Sequence, residues 1–96
     1  MKLVIKPSTN QKKKYMAIFY EGDKKVKTTH FGAKGMDDYT ITKDKAQRER
    51  YRTRHKKDLD TKDPTKAGYL SYYILWGDST SLQENIKNYK KKFNFA

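Results

Sequence analysis

Seven of the ten residues from 48 to 57 (RERYRTRHKK, here called the basic segment) carry side chains that are cationic or can become so. Four of them are arginines, whose planar guanidinium groups donate paired hydrogen bonds to a phosphate. Like charges four residues apart, as at Arg48/Arg52 and Arg50/Arg54, lower the stability of a helix. A segment with a purely structural role gains nothing from that arrangement. We therefore favour a polyanion-binding surface over the alternative, a solvated face partly neutralised by nearby carboxylates.

The candidate phosphate-binding residues share positive charge and predicted exposure. In the basic segment they are Arg48, Arg50, Arg52, Arg54, His55, Lys56 and Lys57. Outside it, the residues that extend the footprint are Lys34, Lys90, Lys91 and Lys92. His55 either packs or assists in binding phosphate. No helix-turn-helix, zinc-finger, basic-zipper or RNP-like pattern is present, so contacts to the nucleic-acid backbone are expected rather than base readout.

The composition limits the class of protein. The 96 residues carry a formal net charge of +12, which favours nucleic acid, an anionic membrane or an acidic protein as partner. Only 34% of residues are hydrophobic, but 14% are aromatic and can each bury a large area, so we expect one folded domain over residues 1–96. There is no cysteine, which excludes disulfides and thiolate metal sites. The short apolar run at the N-terminus predicts neither a signal peptide nor a membrane span, and we expect a cytosol-like compartment.

Three strands are predicted in the first third of the chain. They are Met1–Ile5, Lys14–Tyr20 and Lys25–Phe31, which alternate or are β-branched and are separated by turn-forming residues. Together they predict an antiparallel sheet with one covered face. Residues 32–40, here called the glycine loop, follow. Gly32 and Gly35 are expected at positive φ, with Asp38 and Tyr39 fixing the turn through side-chain hydrogen bonds. The alternative is an anion-binding nest formed with Lys34.

Three helices are predicted after the glycine loop. Asp44 is expected to cap a helix from Lys45 to about Asp58, which carries the basic segment and is anchored mainly by Tyr51. Asp63-Pro64 predicts the start of a helix from Thr65 to Trp76, which is apolar around most of its axis and therefore buried. A last helix from Ser81 to Lys92 begins with a capping box at Ser81/Glu84, or at Thr80/Gln83 in the alternative register. The order β-β-β-α-α-α is that of an α+β fold.

A catalytic site is not favoured by the sequence. Asp37, Asp38 and a histidine would be the candidates for a metal-dependent nuclease, but Asp-Asp after glycine is common in turns and adjacent side chains usually diverge. No Gly-Lys-Ser phosphate loop is present, and the two loop glycines lack the context of a dinucleotide site. We expect a protein that is not an enzyme, with no cofactor and no metal.

Four motifs occur in a characteristic order: HFGAKGMDDYT, RERYRTRHKK, DPTKAGYLSYYILWG and a basic helix ending in YKKKF. This succession, over about residues 14 to 93, resembles a family of small basic uncharacterised proteins of nucleocytoplasmic large DNA viruses, including marseillevirus-like giant viruses. The resemblance implies a DNA-binding component of the virion that helps compact the genome, located in the virion, the host cytoplasm or viral factory, or the host nucleus.

The sequence thus predicts a largely sequence-independent double-stranded DNA-binding protein, with RNA as the alternative nucleic acid. If about six phosphates are engaged, affinity falls roughly a thousandfold between 50 and 200 mM salt. A homodimer would double the footprint. The competing functions are a structural virion protein whose basic face binds an acidic viral protein, and the nuclease.

Overall fold

The sheet has three antiparallel strands in the order of the chain. The computed structural model describes residues 1–96 and places the strands at β1 (Lys2–Pro7), β2 (Lys13–Glu21) and β3 (Lys24–Ala33). β1 pairs with β2 from Lys2↔Tyr20 to Pro7↔Tyr15, and β2 pairs with β3 with one irregularity at Phe19/Tyr20. The strands are each one or more residues longer than predicted, and the α+β order of three strands followed by helices is confirmed.

Alternation within the strands divides the sheet into an inner and an outer face. Leu3, Ala17, Phe19 and Phe31 lie on the inner face and are almost completely buried. They form the core together with residues from the helices, chiefly Leu70, Ile74, Leu75, Trp76 and Tyr89. The helices therefore cover one face of the sheet only, as the sequence predicted.

The two edges of the sheet are tied to other parts of the chain. At β1, the Leu3 amide donates to the carbonyl oxygen of Ala96 (2.9 Å), and the Ala96 amide donates to that of Met1 (3.0 Å). At β3, the Thr29 hydroxyl donates to the carbonyl oxygen of Thr65 (2.7 Å), and Lys27 Nζ donates to the Thr65 hydroxyl (2.7 Å). These contacts connect the sheet to the C-terminus and to the segment before the central helix.

The glycine loop folds back on the sheet through Asp38. Gly32 and Gly35 have φ of 78° and 87°, as predicted. Asp38 is 1% exposed, accepts from the Thr40 amide (2.9 Å), and pairs with Lys14 Nζ at 2.6 Å. Tyr39 makes no side-chain hydrogen bond and contributes by burial instead. The loop ends in a short helix that the sequence did not predict, α1 (Tyr39–Thr42).

The basic helix begins where it was predicted and ends three residues earlier than predicted. α2 (Lys45–His55) begins at Asp44, whose carboxylate accepts from the Gln47 amide at 3.1 Å, and continues as a 3₁₀ turn over Lys56–Thr61. An aspartate at this position satisfies an amide that has no partner within the helix, and its negative charge interacts favourably with the positive end of the helix dipole.

The central helix starts later than predicted. α3 (Ala67–Leu70) continues directly as a π-helical turn (Ser71–Leu75). The Asp63 carboxylate accepts from the Thr65 amide (2.9 Å) and thereby closes a tight turn before the helix instead of capping it. The hydrogen bonds that Thr65 donates to this carboxylate, from its hydroxyl and from its amide, lower the pKa of Asp63. The segment is nonetheless the buried centre of the fold, as expected.

The last helix packs across the central one. α4 (Leu82–Lys92) is capped by Ser81, whose hydroxyl accepts from the Glu84 amide at 3.3 Å, so the first of the two predicted registers is the one adopted. Tyr89 is 1% exposed and donates to the carbonyl oxygen of Pro64 at 2.5 Å. None of the helices has the length and apolar character needed to cross a membrane.

Candidate nucleic-acid interface

A stack of three rings holds α2 against the central helix. The Tyr51 ring lies on the Trp76 ring with centroids 4.4 Å apart and an interplanar angle of 9°. His55 stacks on the other side of Tyr51 at 4.2 Å. Burial, and then the Asp58 carboxylate, raise the pKa of Tyr51 to about 12. The expected anchoring role of Tyr51 is therefore confirmed.

Arg48 also points inward, so the prediction that it is exposed is wrong. The residue is 7% exposed and its guanidinium lies 4.8 Å from the centre of the Tyr39 ring. Nη1 is 3.4 Å from the carbonyl oxygen of Gly77 and 3.3 Å from that of Asp78, while Nε and Nη2 donate to Glu49 Oε1. A guanidinium that is buried and fully engaged in this way stabilises the fold and does not present a surface to a ligand.

Arg52 makes the second inward contact, one helical turn further on. Its Nε donates to the carbonyl oxygen of Trp76 at 2.8 Å, and Nη2 pairs with Asp78 Oδ1 at 3.0 Å. The guanidinium also lies over the Tyr72 ring at 5.6 Å. Together with Arg48, it fixes residues 76–78, where the central helix ends. Arg52 therefore contributes to the fold, and its guanidinium is less available to a phosphate than the sequence predicted.

A sequence signal for this arrangement exists. Arg48, Tyr51, Arg52 and His55 stand at i, i+3, i+4 and i+7, which is the spacing of the buried stripe of an amphipathic helix. Because two of these four positions hold arginine, a search for apolar residues does not find the stripe. The long arginine stems pack on aromatic rings while the guanidinium groups satisfy carbonyl oxygens.

The cations of the basic segment that remain free lie on α2 and on the 3₁₀ turn that follows it. Arg50, Arg54, Lys56 and Lys57, here called the exposed row, are all exposed and take part in no ion pair. In a helix, residues four apart are separated by about 6 Å along the axis. His55 belongs to the inward stripe and not to the exposed row, because its ring covers Tyr51 and its Nδ1 is 3.2 Å from Asp58 Oδ2.

Most of the positive charge of the protein has no internal partner. Of the 23 lysines and arginines, only Lys14, Arg48 and Arg52 form ion pairs with carboxylates of the chain. Exposed like charges repel one another and destabilise the compact state. An anionic ligand would relieve that repulsion, which is the main electrostatic argument for a polyanionic partner.

The predicted outlying residues are at the surface. Lys34, Lys91 and Lys92 are exposed, and Lys90 is half-buried. Lys92 lies 5.5 Å from the centre of the Tyr73 ring and lines a hollow of 290 Å³ together with Arg52. The end of α4 therefore adjoins α2. Lys45, at the start of α2, is exposed as well and was missed by the sequence analysis.

A cleft of 710 Å³ separates the glycine loop from α2. Arg54 and His55 line it from one side, and Lys13 and Asp37 from the other. The two other carboxylates in the cleft are engaged, Asp38 with Lys14 and Asp58 with His55. No three His, Asp or Glu side chains are grouped so as to hold a metal ion. The geometry thus gives the nuclease hypothesis no assembled site.

Comparison with known proteins yields one match. A family model described as a family of unknown function matches residues 3–55, just over half of the chain. The match covers the sheet, the glycine loop and α2 as far as His55. No curated protein and no solved structure matches the chain.

Proposed function

The chain belongs to DUF5754, a family of unknown function, and we propose from the geometry of its basic surface that it is a non-enzymatic protein that binds double-stranded DNA largely independently of sequence. The observation that carries this proposal is the exposed row. It consists of four cations without carboxylate partners, two on α2 and two on the 3₁₀ turn that continues it, and the stack of Tyr51 on Trp76 holds the helix in place. Such a row suits contact with successive phosphates and carries no base-reading pattern.

The rigidity of the helix supports binding as much as its charge does. A cation on a mobile segment loses conformational freedom when it engages a phosphate, which reduces the affinity gained. The inward arginines keep α2 in place and leave the exposed row preorganised. Two arginines within that row, Arg50 and Arg54, provide guanidinium forks for phosphate oxygens.

The proposal predicts a specific dependence of affinity on salt. With Arg48 and Arg52 engaged in the fold, about four phosphate contacts remain in the basic segment, fewer than the six that the sequence suggested. Four contacts lower affinity by about a hundredfold between 50 and 200 mM salt. The lysines of α4 and Lys34 would add to the slope if they reach the same duplex.

The test is a salt titration in which binding to a random-sequence duplex is measured by fluorescence anisotropy. Wild type is compared with a helix variant, R50Q/R54Q/K56Q/K57Q, which leaves the inward arginines intact. Loss of affinity together with a fall in the salt slope of about 3.6 supports the proposal. Equal binding and equal slopes for the two proteins would contradict it. A matched control, K12Q/K62Q/K66Q/K87Q, removes four exposed lysines that lie outside the basic segment.

The resemblance to giant-virus proteins supports a role in genome packaging or as a chromatin-like virion component. The binding test does not depend on that role. An acidic protein remains the competing partner, and tighter binding to polyglutamate than to DNA or RNA would favour it. RNA duplexes in the same titration decide between the two nucleic acids.

A further inference from the structure

The outer face of the sheet is a second basic surface. The register of the strands places nine residues on it in three rows. The rows are Lys2, Tyr20 and Lys25; Val4, Ile18 and Thr28; and Lys6, Met16 and His30. The helices lie on the other side of the sheet and cover none of these positions.

The outer face carries lysines at its corners and a buried residue, Ile18, at its centre. Lys2, Lys6 and Lys25 are exposed, and there is no carboxylate among the nine residues. Of the nine residues only the three lysines and Thr28 are exposed, whereas Val4 and Met16 are half-buried and Ile18 is 5% exposed. Val26, at the irregularity beside Lys25, adds one apolar side chain that is 43% exposed. The groups most accessible to a ligand are therefore mainly cationic and polar, without a large contiguous apolar patch.

Charge also argues against a second copy of the chain as the occupant. Two outer faces brought together would oppose three lysines with three lysines and offer no carboxylate to pair with them. His30 and Tyr20 add groups suited to a polar ligand. The Nδ1 atom of His30 is 2.7 Å from the Ser8 hydroxyl, its other ring nitrogen has no hydrogen bond, and the Tyr20 ring lies 6.0 Å from Lys2 Nζ.

The dimensions of the face suit a DNA duplex. Lys2 and Lys6 are four residues apart on one strand, about 13 Å, and the outer strands are about 10 Å apart. Both lengths are comparable with the major-groove width of about 12 Å, so the corner lysines can reach phosphates at the edges of the groove.

The outer face and the exposed row lie on different sides of the domain, because α2 packs through Tyr51 on the core, which covers the inner face of the sheet. The domain extends 40 × 27 × 23 Å, and bending DNA sharply around so small a body costs several kcal/mol. We propose that the outer face binds a second DNA duplex, so that one chain bridges two duplexes. This inference rests on the proposed DNA-binding function and extends it to compaction.

The experiment is a sandwich capture assay. One duplex is fixed to beads, full-length protein is bound, and capture of a second, fluorescent duplex is measured at 100 mM salt. The sheet variant K2Q/K6Q/K25Q is compared with wild type and with K12Q/K62Q/K87Q, which removes the same charge from other exposed positions. Anisotropy with a single dilute duplex is measured in parallel.

We expect the sheet variant to keep single-duplex binding within a few-fold and to lose capture of the second duplex at least about tenfold, while the control retains it. Capture by the sheet variant equal to that of the control would overturn bridging through this face and leave the proposed function intact. This result would also be obtained if a homodimer formed the bridge.

If wild type binds no duplex at all, the proposed function fails as well. Capture of labelled polyglutamate in preference to the second duplex, lost in the sheet variant, would assign the face to an acidic protein and overturn the proposal.

Discussion

Trp76 contacts α2 through two of its groups. Its ring stacks on Tyr51 with centroids 4.4 Å apart, and its carbonyl oxygen accepts a hydrogen bond from Arg52 Nε at 2.8 Å. The aromatic contact supplies buried area, and the hydrogen bond satisfies a carbonyl group at the end of the central helix. One residue therefore fixes both the position and the rotation of the basic helix. This orientation decides which of its cations face solvent, and it leads to four predictions.

The inward and outward arginines of α2 should differ sharply in their effect on stability. R48A removes a buried guanidinium from two carbonyl oxygens and from the Tyr39 ring, and should lower the free energy of unfolding by about 2–4 kcal/mol. R50A removes an exposed cation and should change it by less than about 0.5 kcal/mol. Urea denaturation of the two variants measures the difference. Equal effects would refute the structural assignment of Arg48.

Arginine geometry, beyond charge, should matter at the exposed row. The variant R50K/R54K keeps every charge, so the salt slope of DNA binding should stay unchanged. Affinity should nevertheless fall several-fold, because an ammonium group cannot donate the paired hydrogen bonds of a guanidinium. Anisotropy titrations at two salt concentrations separate these quantities. A changed slope with unchanged affinity would be the opposite of the expected result.

Alkaline pH should destabilise the protein partly through Tyr51. Burial raises its pKa to about 12 in the fold, above the ordinary tyrosine value of 10.0. Between these values the unfolded chain has released a proton that the folded chain retains, so the free energy of unfolding falls as pH rises from 10 to 12. Below pH 10 the contribution of Tyr51 is fully present.

The control for this pH dependence is Y51F, which keeps the ring stack and removes the titrating group. Thermal unfolding at pH 8, 10 and 11 should show a smaller loss of stability above pH 10 in Y51F than in wild type. Some loss remains, because burial also raises the pKa of Tyr15, Tyr73 and Tyr89. Identical pH profiles for the two proteins would show that Tyr51 is not the titrating group.

The two loop glycines should respond differently to alanine. A Cβ atom on Gly32 would lie 2.7 Å from Leu75 Cδ1 at a φ of 78°, whereas one on Gly35 would meet nothing within 4 Å at a φ of 87°. Both changes carry the cost of positive φ, about 1–2 kcal/mol. G32A adds the cost of overpacking, about 1–3 kcal/mol more. Chemical denaturation should rank G32A as clearly less stable than G35A, and the reverse order would argue against close packing of Leu75 on the loop.

The features that follow from the sequence alone are local. The three strands follow from the alternation of apolar and polar residues. The starts of α2 and α4 follow from Asp44 and Ser81, whose side chains accept hydrogen bonds from backbone amides only three residues away. The positive φ of Gly32 and Gly35 follows from the absence of a Cβ atom. Asp63-Pro64 misled the prediction because the same residues that begin a helix also close a tight turn, and the two outcomes differ by only a few residues.

The tertiary structure decided which side of each element faces the core. Arg48 and Arg52 turn inward because residues 76–78 offer carbonyl oxygens there, and these lie 24 or more positions away along the chain. Asp38 is engaged by Lys14 across a similar separation. The rows of the outer sheet face exist only once the strands have paired in register. The charges and their spacing can be read from the chain, whereas the partner of each charge depends on the packing of distant segments. The exposed cations are those for which the packing supplied no carboxylate partner.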